Sequence, residues 1–189
     1  MPVRPSGFSA QVFENIIVTE WGSGALCPLT ERQDFTDALS ILEQHIAWLA
    51  ADEQVFGPSS ALRDYGRVFS RAGKNPGWLI KGTAKRCYEN AASYASVRND
   101  VNYAEGYVID PCLPIPIEHA WLVDCAGEVV DPTLENVKEH VYLGVAFAPG
   151  CVRQMLEANQ GEAGILSNLH RFHQDSIRFE RTPPSTSLP

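Results

Sequence analysis

The chain has 189 residues, 44% of them hydrophobic and 20% charged, so it is long enough to bury a core and ordinary enough to be globular. Its net charge of -8 and pI near 5.1 argue against nucleic acid or an anionic membrane as partner, because phosphate recognition needs a basic surface. Five cysteines without a CxxC pair speak against a disulfide framework and for reduced thiols in the cytoplasm.

Residues 1–29 are rich in Pro, Gly and Ser around one apolar stretch, Val12 to Val18, and carry no apolar core long enough for a signal peptide. The first clear element starts near Thr30. Phe35, Leu39, Leu42, Ile46 and Leu49 recur at steps of three and four, the pattern of an amphipathic helix that "FGP" should stop. Thr30 with Gln33, or Asp34 alone, can cap its start. "SSALRDYGRVFSRAG" reads as a second helix, capped by Ser59 or Ser60 and ended by Gly73. "KNPGW" is a turn, and "WLIKG" a short extended piece.

A third helix is expected from about Thr83 to Lys85 through "CYENAASYASVR". It places Cys87, Asn90, Ala91 and Tyr94 on one face, and its alanines allow a sheet to pack closely. The period then changes to two. "NYAEGYVI", "IEHAWLVD", "EVVDPT" and "YLGVAF" read as strands, with "DPCLPIP" a proline-bounded loop and "CAG" a turn. Helices at about Cys151 to Asn159 and Ile165 to Phe172 close the fold, and "TPPSTSLP" is a tail. Helices followed by an antiparallel sheet define an α+β class. The expected organisation is one domain over 1–180 with a tail at 181–189. Within it, helices occupy about 30–75, a core about 78–148 and further helices about 150–173.

The hairpin at residues 117–131 yields a chemical expectation. If Cys125-Ala126-Gly127 is a three-residue loop with Gly127 in the left-handed position, Val123 faces Val129. Trp121 then faces Asp131, and His119 lies diagonal to Asp131 on the same side. A carboxylate beside an imidazole fixes its tautomer and stabilises the imidazolium, whose other nitrogen can take a thiol proton. Cys87, at a helix start, has the helix dipole and free N–H groups to support a thiolate and an oxyanion.

At these residues the sequence resembles the transglutaminase-like branch of the papain-like cysteine enzymes. The resemblance spans about Lys81 to Phe147 and rests on "KRCYENAASYA", "NYAEGYV", "IEHAWLVD" and "GEVVDPT". It implies a papain-like core with the cysteine helix packed on an antiparallel sheet. It also implies Cys87 as nucleophile, His119 as base and Asp131 as orienting acid. "CYEN" is similar to the Cys-x-x-Asn of arylamine acetyltransferases, but their glycine-rich lead-in is missing. No glutamine stands a few residues before Cys87 as in papain, so Trp78, Lys85, Asn90 and Trp121 are the candidates for the oxyanion or substrate.

The expected activity is acyl chemistry on an amide or ester through a thioester, with water or an amine as acceptor and hydrolysis favoured. Substrates would be a protein, a peptide or a small amide or ester, with no cofactor and no metal; the oligomeric state stays open. Two alternatives compete: an inactive binding or scaffold domain of the same fold, and a zinc site from Cys87, Cys112, His119 and Cys125. Cys112, Cys125 and Cys151 read otherwise as structural, and the His170/His173 pair as a surface helix end.

Overall fold

The computed structural model describes residues 31–69, 75–110, 113–160, 163–171 and 179–180. The apolar stretch at 12–18, the Thr30 cap, Gly73, Cys112 and the tail lie outside them. Helix α1 spans Glu31–Asp52 and α2 Pro58–Tyr65, followed by strand β1, Arg67–Phe69. Helix α3, Cys87–Val97, leads into β2, Val101–Asp110; β3, Leu113–Asp124; β4, Val129–Val130; and β5, Val141–Phe147. Helix α4, Pro149–Ala158, is followed by a 3-10 segment at Leu166–Arg171 and by β6, Phe179–Glu180. The strands form one antiparallel sheet in the order β1-β5-β2-β3-β4, with β6 also pairing β5. The protein is α+β.

Helix α1 buries Ala38, Leu42, Ile46 and Ala50, one row at four-residue steps. Phe35, Leu39 and Leu49 flank it half-buried, so small residues hold the centre of a face that bulky residues announced. Strands β2 and β5 are buried along nearly their whole length because both sheet faces are covered. On one face Tyr103, Tyr107, Leu122, Leu143, Val145 and Phe147 meet α1, α3 and α4. On the other, Phe69, Val108, Trp121, Val123, Tyr142 and Val137 form a second core.

Two facing glycines shape this second core. Gly106 pairs with Gly144 across β2 and β5. A Cβ on Gly144 would lie 2.3 Å from the Glu105 carbonyl oxygen and 2.5 Å from the Trp121 ring. Gly144→Ala must therefore push backbone or indole aside. We expect it to cost about 1–3 kcal/mol, the usual penalty of overpacking, read as a lower urea midpoint with unchanged slope.

Five expectations change. The second helix stops at Tyr65, where Gly66 turns to extended backbone and donates to the Leu62 carbonyl. The chain then enters β1, because Val68 and Phe69 find β5 as partner. Neither Ser59 nor Ser60 caps α2; their backbone N–H groups instead donate to the Glu53 carboxylate at 2.8 and 2.7 Å. "WLIKG" forms no strand. The segment Leu113–Pro116 belongs to β3 rather than to a loop, tolerating its prolines where β2 is its only described neighbour. The last helix is a 3-10 segment kinked at Asn168; its start is held by the buried Glu105 carboxylate, which accepts the Ile165 and Leu166 N–H groups at 2.5 and 2.8 Å.

Candidate active site

The hairpin closes through its three-residue turn. Gly127 has φ 81°, its N–H donates to the Asp124 carbonyl, and the Asp124 N–H donates to Glu128. Val123 pairs with Val129 and Leu122 with Val130. This register sends His119 and Asp131 to one side, where His119 Nε2 lies 2.7 Å from Asp131 Oδ2. Both side chains are buried, His119 at 3% and Asp131 at 0% exposure.

Every oxygen of that carboxylate is occupied. Oδ1 accepts the Thr133 and Leu134 backbone N–H groups at 2.7 and 2.9 Å. Oδ2, besides His119, accepts the Tyr142 hydroxyl at 2.9 Å. Burial raises the Asp131 pKa, but the hydrogen bond and charge of His119 and the two backbone donors outweigh it and hold the carboxyl below its ordinary 3.8. Burial lowers His119; the Asp131 hydrogen bond, the Cys87 hydrogen bond and both charges overcome it and bring the imidazole up to about 9. The ring is thus an imidazolium at neutral pH. With Nε2 engaged by Asp131, Nδ1 is the nitrogen left for the thiol. Burial and the Asp131 carboxylate raise the Tyr142 hydroxyl far above its usual value, so it remains a donor at every physiological pH.

Beneath the ring lies an aromatic stack. Trp121 is parallel to His119, 6.2 Å away at 15°, and meets Tyr142 and Phe69 edge-on at 5.2 and 5.5 Å. Such packing limits the imidazole to one orientation.

Cys87 is the first residue of α3, partly exposed, and no side chain caps that helix start. The helix buries Ala91, Ala92 and Ala95 together with Ala120 and Leu122, the face opposite to His119 and Trp121. Cys87, at the start of that helix, is near enough to raise the His119 imidazole by hydrogen bond and charge, and β4 pairs β3 only at Leu122 and Val123. A set of tethers holds the helix start there. Gly82 N–H donates to Pro132 O at 2.7 Å, and Asn90 Nδ2 donates to Thr133 Oγ1 and Thr83 O at 2.9 and 2.8 Å. Lys81 Nζ donates to the Asp131 and Leu134 carbonyls. The segment before the cysteine is thereby bound to the turn that carries the aspartate.

The remaining sequence candidates separate. Asn90 spends its amide on these tethers. Trp78 packs on Tyr94 at 5.5 Å and beneath Arg98 at 3.9 Å. Those residues lie two to three turns along α3 from Cys87, about 10–17 Å at 1.5 Å per residue, so Trp78 does not stand at the thiol. Trp121 has no exposed surface and supports His119 from below rather than lining an open site. Lys85 is exposed, with a left-handed φ of 65° two residues before Cys87. Cys125 is exposed in its turn, and Cys151 is buried with its thiol 3.3 Å from the Met155 sulfur. Among the described residues no three His, Cys, Asp or Glu side chains stand together to hold a metal; Cys112 of the zinc alternative and His173 lie outside them.

Tyr142 and Lys81 escaped the sequence reading. Tyr142 reaches Asp131 only because β5 pairs with β2, a partnership no local pattern encodes. The parity of "YLGVAF" could have put Tyr142 on the Trp121 side once that register was known.

No family model matches this chain, and no curated protein or solved structure matches it either. Among the described residues no helix is long and apolar enough to cross a membrane.

Proposed function

We propose that this chain is a cysteine-dependent acyl enzyme of the transglutaminase-like, papain-like kind, acting on an amide or ester in the cytoplasm with Cys87, His119 and Asp131 as its triad. The observation that carries the reading is the buried His119 ring, 2.7 Å from Asp131 and raised in pKa by both Asp131 and Cys87. A histidine that served only as core filling would not be shared between a carboxylate and a half-exposed cysteine.

In this reading His119 is already protonated, and the Cys87 sulfur paired with it adds to the acyl carbon. The tetrahedral oxyanion is met by the Cys87 backbone N–H at the uncapped helix start, with Arg86 and Lys85 the nearest exposed cations in sequence. The carbon–nitrogen or carbon–oxygen bond then breaks, the leaving group takes the proton from His119, and a Cys87 thioester remains. Water, or an amine, loses a proton to His119, attacks the thioester and frees the Cys87 sulfur beside the protonated ring. Asp131 stays ionised throughout, as its lowered pKa implies. Tyr142 and Trp121 keep Asp131 and His119 in place.

Alkylation tests the reading directly. At pH 7, iodoacetamide should modify Cys87 at least about tenfold faster than exposed Cys125, and His119→Ala should remove that advantage. Equal rates at the two cysteines in the wild-type chain would leave the triad without support and favour an inactive binding domain of the same fold.

A further inference from the structure

The scattered exposed apolar residues of this protein, such as Trp48, Val55 and Val97, need no explanation. Leu113, Ile115 and Ile117 are different. They follow one another at every second position of one strand and are 50%, 57% and 51% exposed. That strand then runs straight into His119. Ile117 pairs with Val108 and His119 with Gly106 in the same regular ladder, so both side chains leave the same face, about 7 Å apart for two residues of extended chain. Beyond Ile117 the ladder shifts register before Asp110 meets Leu113, and this half of β3 has β2 as its only described neighbour.

An exposed strand of this kind would ordinarily recruit another strand. Pro114 and Pro116 oppose that, because neither has an N–H to donate to a ladder. The segment offers aliphatic side chains while its backbone resists sheet addition. Ile117 lies two residues from His119 on the same face, so a peptide laid along this strip reaches the imidazole. A repeat of about 7 Å between alternate side chains is also the repeat of an extended peptide.

We propose that Leu113, Ile115 and Ile117 form the acyl-donor subsite of this protein, selecting extended peptides with bulky aliphatic residues on the acyl side of the bond attacked by Cys87. This assignment rests on the triad reading above.

Peptide chloromethyl ketones test it, since they place a peptide of chosen sequence on the acyl side of an electrophile aimed at a thiol. Alkylation rates at Cys87 are compared for Val-Leu and Gly-Gly ketones, with iodoacetamide as the probe of thiol reactivity alone. Wild-type protein should react about tenfold faster with Val-Leu than with Gly-Gly, an advantage that burial of one or two aliphatic side chains supplies. Ile117→Thr and Ile115→Thr, which keep β-branching, should bring that ratio below about threefold with the iodoacetamide rate unchanged, whereas Val55→Thr should leave it intact. A wild-type ratio near one, or a ratio indifferent to both isoleucine variants, overturns the subsite while selective iodoacetamide labelling keeps the triad. If iodoacetamide itself fails to prefer Cys87, the triad falls and the subsite with it. A self-associating wild type that Ile117→Thr renders monomeric, with a ratio near one, assigns the strip to a second copy of the chain instead.

Discussion

Asp131→Ala is expected to destabilise the protein by about 3–5 kcal/mol, the usual result of removing one partner from a buried charged pair. The carboxylate holds His119, the Tyr142 hydroxyl and two backbone N–H groups at once. Truncation leaves all four buried or half-buried donors without it. The effect has a pH signature. In the wild type His119 is raised from 6.5 to about 9, so its contribution is complete below pH 6.5 and disappears as pH rises through 9. Asp131 is lowered from 3.8, so its own contribution is present above that value and is lost as pH falls below it. In the variant the Asp131 support is gone and burial, opposed only by Cys87, favours the neutral ring, so acidification towards pH 5 destabilises the fold relative to the wild type. The gap between wild type and Asp131→Ala in urea should therefore widen from pH 8.5 to pH 5. A gap that is constant or narrows over that range would mean the pair is not ionised as its surroundings dictate.

Cys87→Ala should have the largest functional effect and one of the smallest structural ones. If the thiol forms the acyl intermediate, its loss lowers turnover of a reactive aryl ester by about 10⁴-fold or more, the scale seen when a nucleophile is deleted from a triad. The side chain is only partly buried, and α3 is held instead by its alanine face and by the Asn90 and Gly82 tethers. Stability should thus change by less than about 1 kcal/mol. The wild type, mixed with excess ester and quenched early, should carry the acyl mass on the peptide containing Cys87, and the variant none. Turnover retained in Cys87→Ala would falsify the thioester mechanism, whatever the geometry of His119 and Asp131.

Much of the site was legible because it is built from local rules. A glycine at the third position of a short turn fixed the hairpin register, and strand parity then placed His119 beside Asp131. A helix through Cys87 followed from the period and the alanine-rich face, but its start, expected near Thr83 to Lys85, lies two to four residues later, at Cys87. Errors gathered where local pattern and tertiary partner disagree. Gly66 ended a helix that the apolar period would have continued, because Val68 and Phe69 are claimed by β5. Pro114 and Pro116 suggested a loop, yet the chain there extends as a strand with β2 as its only described neighbour, where missing N–H groups cost little.

By itself, the sequence determined the α+β class, the helix that carries Cys87, and the hairpin that joins imidazole to carboxylate. Each depends on residues close together in the chain, for which turn chemistry and side-chain period suffice. Only the tertiary structure decided which residues hold that pair in place. Tyr142 and the Lys81–Gly82 segment arrive through pairings over 11 to 53 residues, and the indole of Trp121 lies under His119 because Gly144 on another strand leaves it room. The same folding tied the start of α3, which carries Cys87, to the turn that carries Asp131, through tethers to Pro132 and Thr133 that no local pattern records.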